Sequence, residues 1–266
     1  MEAEPRASDL ESLRLFDSCV TLGRIVHSGY PVSLTADSLL ELMDRYAIAD
    51  AIVHEHHARN RYPREEGNAR VCEAVRGRPR LHPVWVMEPP REPGSLSARR
   101  AVARAIDAGV RAVRLPMQTI PPLAWLWDDF LAELEARHVP CFLDFGSVST
   151  WGDLDDGDVD GVRTLALAHP GLALVLSNVV GGLGIHPGIL PLVRRTPNVL
   201  VDTTGVLEFW REAAAADPGR VLFATGMPFT DPGIYVSNVQ YARGLDEEAK
   251  RLICGGRLRA LLEAVR

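Results

Sequence analysis

The sequence predicts a single-domain (β/α)8 barrel over residues 1–266, and three observations support this fold class. Eight short apolar runs recur along the chain, separated by roughly 20 to 35 residues, which is the length of a β/α unit with its loops. Amphipathic segments lie between the runs, and no linker or change of composition divides the chain. The predicted strands are 13–19, 50–54, 81–87, 110–115, 139–145, 172–178, 198–203 and 220–225. A doubly wound open sheet is the structural alternative, but eight regular units favour closure into a barrel.

The segments between the predicted strands carry helix signals. Segment 35–46, TADSLLELMDRY, opens with a threonine and an aspartate typical of a helix start and places its large apolar residues on one side. Segment 95–109 ends at a glycine that indicates a helix stop, and segment 123–138 has a broad apolar face. Segment 257–265 is predicted as the closing helix, and the proline-rich stretch 87–94 as the loop after the third strand.

The composition is that of an ordinary globular protein, with 47% hydrophobic and 24% charged residues. The net charge of −6 disfavours a nucleic-acid or anionic-membrane surface. No apolar run approaches the roughly 18 to 20 residues that span a bilayer, and the polar N-terminus is unlike a signal peptide. The four cysteines lack CxxC spacing, which is typical of a reducing compartment. We therefore expect a cytoplasmic protein with a small-molecule substrate, no nucleic-acid or membrane partner, and a homodimer as one possible assembly.

In a barrel of this class the active site forms where the strands end, at the carboxyl side. The predicted strand ends carry a series of polar or reactive side chains. These are Asp17, Cys19, Thr21, His54, Arg114, Asp144 and Asn178.

The densest polar segment, HEHHARNRYPREEGN (54–68), follows the second predicted strand. His54 and His56 have the same parity, so both would face inward if the strand continued, and histidine is suited to proton transfer near neutral pH. Arg59 or Arg61 is expected to bind a carboxylate or phosphate through its planar guanidinium.

Two other interpretations of this segment stay open. One is a divalent-metal site formed by His54, His56 and Asp144, and the other is a polar loop whose histidines bond only backbone and solvent. Asp17 and Asp144 end the first and fifth strands, and Arg114 is the natural partner of Asp144. Asp144 is then either a general base with Arg114 binding the substrate anion, or half of an ion pair that closes the mouth.

The remaining candidates are expected to contact the substrate. Asn178 is placed either to donate to a developing oxyanion or to satisfy backbone groups in a tight turn. Cys19 is either a nucleophile or a small buried apolar residue, and Thr21 lies beside it on the first strand.

Several phrases resemble the amidohydrolase superfamily, in its branch of minimal barrels. FDSCVTLG is similar to that family's first strand, LVLSNVVGG to its sixth, NVLVDTTG to its seventh and RVLFATGMPFTDPG to its eighth. The differences fall on the family's metal ligands. Cys19 and Thr21 stand where the family has two histidines, Asp144 and Asn178 where it has two more, and Gly226 where it has an aspartate.

The resemblance implies a hydrolase, but the altered ligand set gives no reason to transfer the family's metal site, and no cofactor is expected. We expect a hydrolase for a small anionic carbonyl compound such as a lactone, amide or carboxylic acid. His54, His56 and Asp144 would transfer protons, and Arg114 would bind the substrate. The alternatives are a metal-independent lyase, decarboxylase or isomerase on the same barrel, and an inert barrel that binds a ligand or a protein.

Overall fold

A computed structural model describes residues 9–27, 30–60, 63–92, 94–146, 154–181, 184–205 and 209–266. The strands within these ranges are β1 (Leu15–His27), β2 (Tyr30–Leu34), β3 (Ile48–Glu55), β4 (Leu81–Pro83), β5 (Trp85–Val86), β6 (Val113–Pro116), β7 (Cys141–Asp144), β8 (Leu174–Ser177), β9 (Val180–Gly181), β10 (Gly184–Ile185), β11 (Val199–Asp202) and β12 (Val221–Leu222).

The helices follow the strands in alternation. They are α1 (Leu10–Leu13), α2 (Ala36–Arg45), α3 (His56–Asn60), α4 (Arg64–Val75), α5 (Ser95–Asp107), α6 (Ala124–Ala136), α7 (Asp156–Ala168), α8 (Ile189–Arg195), α9 (Phe209–Ala216), α10 (Pro232–Gln240), α11 (Glu247–Arg251) and α12 (Arg257–Glu263).

The predicted (β/α)8 fold is confirmed. The barrel strands fall into a sheet of order β2-β1-β3-β4 and a sheet of order β12-β11-β8-β7-β6-β5, in which only β1 and β2 pair antiparallel. A separate antiparallel pair is formed by β9 and β10. Backbone hydrogen bonds link the two sheets at both seams. The Val84 N–H, between β4 and β5, donates to Val53 at 2.8 Å, and the Thr21 N–H of β1 donates to Met227, beyond β12, at 2.8 Å. The eight strand positions are therefore β1, β3, the interrupted β4–β5 strand, β6, β7, β8, β11 and β12.

One apolar residue from each strand position fills the lower part of the barrel. This layer consists of Phe16, Ile52, Val84, Ala112, Phe142, Val175, Leu200 and Leu222, and Leu258 of α12 packs against it from below. Because side chains alternate along a strand, residues two positions further along point into the same interior. For most strands these residues are polar, and they form the floor of the barrel mouth: Ser18, His54, Arg114, Asp144, Ser177 and Asp202.

The predicted helix starts and most predicted strands agree with the structure. Thr35 caps α2, with its side chain accepting the Ser38 N–H at 3.2 Å, as the sequence predicts. Strand β1 is longer than predicted, since it continues past Cys19 to His27 and forms a hairpin with β2. No helix in the described ranges has both the length and the apolar character needed to cross a membrane.

Candidate active site

Asp144, at the end of β7, is the most heavily contacted acidic group of the barrel mouth. Its Oδ1 accepts hydrogen bonds from Arg59 Nη2 at 3.0 Å, from Asn178 Nδ2 at 2.8 Å and from the Gly146 N–H at 3.1 Å. Its Oδ2 lies 2.8 Å from Arg59 Nε and 3.2 Å from Arg114 Nη1. The contact predicted between Arg114 and Asp144 is therefore present.

The charge state of Asp144 follows from these contacts. Burial by itself would raise the pKa of Asp144, but the Arg59 and Arg114 guanidiniums outweigh burial and hold that pKa well below its usual range. A carboxylate with so little affinity for a proton is a poor general base. The contacts thus argue against the general-base role expected for Asp144 and favour the ion pair that was its alternative.

Arg114 extends from β6 into the centre of the mouth and is 1% exposed. Its Nη1 donates to Ser177 Oγ at 3.0 Å, and its Nη2 donates to the Ser18 carbonyl at 3.4 Å. Ser177 Oγ in turn donates to Asp202 Oδ2 at 2.5 Å. The guanidinium also lies over the Phe142 ring, 5.3 Å from its centroid. One arginine therefore contacts groups on several strands at once.

His54, at the end of β3, is also buried and faces Thr21. The distance from His54 Nε2 to Thr21 Oγ1 is 3.0 Å. Burial lowers the pKa of His54 well below its usual range, and the positive charges of Arg114 and Arg59 lower it further. The imidazole is consequently neutral near pH 7, with one ring nitrogen that can accept a proton.

Arg59 reaches Asp144 from the short helix α3, and both ends of that helix are fixed by side chains. At the start, Glu55 Oε2 accepts the His57 N–H at 2.5 Å and the Ala58 N–H at 3.2 Å. At the end, Arg64 Nη1 donates to the Ala58 carbonyl at 2.7 Å and the Arg59 carbonyl at 3.0 Å. These charges complement the free N–H and C=O groups of a helix.

Gly146 permits the close approach of Asn178 and Arg59 to Asp144. A Cβ atom at position 146 would lie 2.6 Å from Asn178 Cβ and 2.9 Å from Arg59 Nη2. Asn178 adopts a left-handed backbone with a φ of 56°, which places it in a turn after β8. Asn178 was expected either to donate to an oxyanion or to satisfy backbone groups in a tight turn. The turn is present, but the side chain donates to Asp144.

Asp17 lies apart from the Asp144 contacts, in a seam between strands. Its Oδ1 accepts the Cys19 and Thr225 N–H groups, both at 3.0 Å, and its Oδ2 accepts the Thr225 hydroxyl at 2.5 Å. Burial raises the pKa of Asp17 to about 7. These contacts connect β1 to the chain beyond β12, so they indicate a structural role in place of the catalytic one expected.

The three other candidates are Cys19, His56 and Arg61. Cys19 is buried, and burial raises the pKa of its thiol, so the protonated form dominates and a nucleophilic role is disfavoured. β3 ends at Glu55 and His56 begins α3, so the strand parity that would have turned His56 inward does not apply. Arg61 lies outside the described residues.

No role was predicted for three residues that shape the mouth. Ser177 joins Arg114 to Asp202, and the two-residue period from the buried Val175 would have placed it inside the barrel. Glu55 and Arg64 hold α3, but their partners are backbone groups of a helix that the sequence did not predict. No local signal marks such contacts.

The donor groups of the mouth do not fit the metal that the family resemblance implies. Within the described ranges, no cluster of three or more histidine, cysteine, aspartate or glutamate side chains is arranged to hold an ion. Thr21 contacts His54, and both oxygens of Asp144 are engaged by guanidiniums. A divalent ion beside Asp144 would face two fixed positive charges, so His54, His56 and Asp144 do not make a suitable ligand set.

Comparisons with known proteins agree with this class of fold. A model of the amidohydrolase family named Amidohydro_2 matches residues 28–257, and the chain belongs to that family. No curated protein matches.

Solved structures resemble the chain over almost its whole length. A 2,6-dihydroxybenzoate decarboxylase from Rhizobium is 16% identical with a TM-score of 0.66, covering 94% of this chain and 98% of its own. A putative amidohydrolase from Staphylococcus aureus is 13% identical with a TM-score of 0.68, covering 94% and 99%. A dihydroxybenzoic acid decarboxylase from Polaromonas sp. JS666, with bound manganese and 2-nitroresorcinol, is 13% identical with a TM-score of 0.66, covering 94% and 96%. Identities this low establish the fold alone.

Proposed function

We propose that this protein is an enzyme that hydrolyses a small anionic carbonyl compound, such as a lactone or an amide, at the mouth of the barrel. The observation that supports this most directly is the neutral imidazole of His54, buried beside a cluster of two arginines and one aspartate. Buried groups with shifted pKa values at the carboxyl ends of barrel strands are typical of active sites.

Each group of the mouth has a distinct role in the proposal. Arg59 and Asn178 bind the anionic group of the substrate, because a guanidinium and an amide are matched to carboxylate oxygens. His54 takes a proton from the attacking water, the imidazolium that forms is stabilised by the negative charge of Asp144, and the proton returns to the leaving oxygen or nitrogen. Thr21 orients the imidazole through its contact with Nε2, and the guanidiniums stabilise negative charge on the carbonyl oxygen.

In this proposal Asp144 does not act as a general base. It is the fixed counter-ion that orients Arg59 and Arg114, since its oxygens contact both. An orienting carboxylate of this kind keeps the guanidiniums in place without exchanging a proton.

A second candidate function is decarboxylation of a small carboxylic acid. Structural neighbours include 5-carboxyvanillate decarboxylase from Sphingomonas paucimobilis and the dihydroxybenzoate decarboxylases, and a guanidinium pair is suited to a carboxylate. In that reaction the bond from carbon to the carboxylate breaks, carbon dioxide leaves, and His54 passes a proton taken from solvent to the carbon. The products separate the two functions, because only decarboxylation releases carbon dioxide.

The test is a turnover screen of lactones, amides and aromatic carboxylic acids, followed by chromatography and carbon dioxide detection. On the substrate found, His54→Gln should lower kcat by about 100-fold or more, the range of acid–base catalysis. His82→Gln, which changes a histidine near the lower apolar layer, is the matched control and should keep wild-type kcat.

Full activity of folded His54→Gln would remove His54 from the chemistry. Binding of ligands without any turnover would favour the inert binding barrel.

A further inference from the structure

Arg114 donates hydrogen bonds to oxygen atoms from several strands in the barrel interior. A carboxylate of Asp144, the hydroxyl of Ser177 and the carbonyl of Ser18 surround it within 3.0–3.4 Å. Carboxylate, hydroxyl and carbonyl oxygens are the groups that hard cations select in proteins. These contacts come from β1, β7 and β8, so the guanidinium ties strand ends together from within.

The charges around Arg114 require a cation at this place. Asp144 and Asp202 are both buried, at 1% and 0% exposure. Asp144 contacts Arg59 and Arg114, whereas Asp202 reaches Arg114 through Ser177. Removal of Arg114 would leave the Asp144 and Asp202 carboxylates with Arg59 alone. Because a buried carboxylate without a compensating cation is strongly destabilising, this loss should weaken the fold.

We propose that the Arg114 guanidinium is the built-in cation of this barrel mouth and takes the place of a bound divalent ion. It supplies a positive charge to the strand ends, and it differs from a metal in being covalently fixed to β6 and unaffected by chelators. The planar guanidinium lies with its face over the Phe142 ring, and a spherical ion could not reproduce this planar contact. The proposal concerns assembly of the mouth and does not depend on which substrate is turned over.

The experiment measures thermal unfolding of wild type, Arg114→Ala and Arg114→Lys in chelated buffer, then with low-millimolar manganese chloride or guanidinium chloride. The control is Arg80→Ala, because Arg80 also contacts one carboxylate and two carbonyls, those of Asp44, Ala49 and Ile48, but nearer the surface. Arg114→Ala should lower Tm by roughly 10 °C, and Arg114→Lys by less because it keeps the charge. Arg80→Ala should change Tm by only a few degrees.

Added cations separate a cation site from an ordinary packing role. Guanidinium or manganese should raise the Tm of Arg114→Ala by occupying the vacated position, and should leave wild type and Arg80→Ala unchanged. A rise in wild-type Tm with manganese would overturn the proposal, as would an Arg114→Ala variant that neither cation stabilises.

If Arg114→Ala gives no folded protein, Arg114→Lys decides the question. The proposal then requires a folded Lys variant, and failure of both variants would overturn it.

Discussion

At the scale of single residues, three buried aspartates of the barrel interior differ in proton affinity because their neighbours differ. Two guanidiniums hold the pKa of Asp144 well below its usual range. Burial raises the pKa of Asp202 to about 6 although Arg114 opposes the shift. Burial raises the pKa of Asp17 to about 7, although the hydrogen bonds from the Thr225 hydroxyl and backbone N–H groups oppose the shift. The same side chain is therefore ionised throughout the physiological range in one place and titrates within that range in another.

Asp17 should make the protein less stable as the pH rises. Its folded pKa of about 7 exceeds the unfolded value of 3.8, so its stabilising contribution is full below pH 3.8 and is lost as the pH rises through about 7. The expected slope is up to about 1.4 kcal/mol per pH unit. Asp17→Asn, which keeps the shape and cannot ionise, should remove this slope between pH 5 and pH 8 in urea unfolding.

The wild-type and variant curves must be compared with each other, because Asp202 and His54 also titrate differently in the folded protein. Parallel pH dependences in the two proteins would show that Asp17 is ionised throughout this range.

The cysteines provide a second test at this scale. Cys19, Cys141 and Cys254 are buried, and burial raises the pKa of each thiol. Native protein treated with iodoacetamide at pH 8 should therefore label at the partly exposed Cys72 first, as peptide mass spectrometry would show. Rapid labelling of Cys19 in the native state would restore the nucleophilic role that its burial argues against.

The short helix α3 shows how one element positions a single functional side chain. Glu55 and Arg64 hold its two ends, and α4 packs against it through Gly67. A Cβ atom at position 67 would lie 2.4 Å from the Ala58 nitrogen and 2.7 Å from Glu55 Oε2. The placement of Arg59 at Asp144 thus depends on Gly67, which takes no part in the ion pair between them.

Gly67→Ala should displace α3 from α4 and loosen Arg59 from Asp144. We expect a loss of about 1–3 kcal/mol in the free energy of unfolding, the range for overpacked buried sites. The control is Gly157→Ala in α7, where the nearest atom to a new Cβ is a side-chain oxygen of Asp155 at 3.1 Å. That substitution should be neutral or slightly stabilising, because alanine favours helices.

Equilibrium urea unfolding measures both variants. Equal stability of Gly67→Ala and wild type would show that α3 does not rest on α4 as described.

Periodic features of the elements could be predicted from the sequence, and features that depend on contacts between elements could not. The strand positions and the capped start of α2 at Thr35 follow from local pattern. The continuation of β1 to His27 and the short helix α3 after Glu55 were not predicted. Both depend on pairing and on the Glu55 carboxylate at the start of α3, which no local periodicity encodes.

At the scale of the whole molecule, barrel geometry explains why distant residues meet. Arg114 lies within β6 and Asp144 ends the adjacent parallel strand β7, so the pairing of these strands brings the two side chains together. Arg59 lies 85 positions from Asp144 and reaches it only because α3 turns back over the mouth. The sequence therefore predicted the contact between Arg114 and Asp144, but not the saturation of Asp144 by two guanidiniums.

The most direct test of the account is the metal content of untagged protein, purified without chelator and measured by inductively coupled plasma mass spectrometry. We infer that fixed guanidiniums, held by Asp144, organise this amidohydrolase-family mouth. This arrangement predicts manganese, zinc and iron far below one ion per chain. A retained ion at close to one per chain would contradict the account and would place metal ligands where the structure has an arginine cluster.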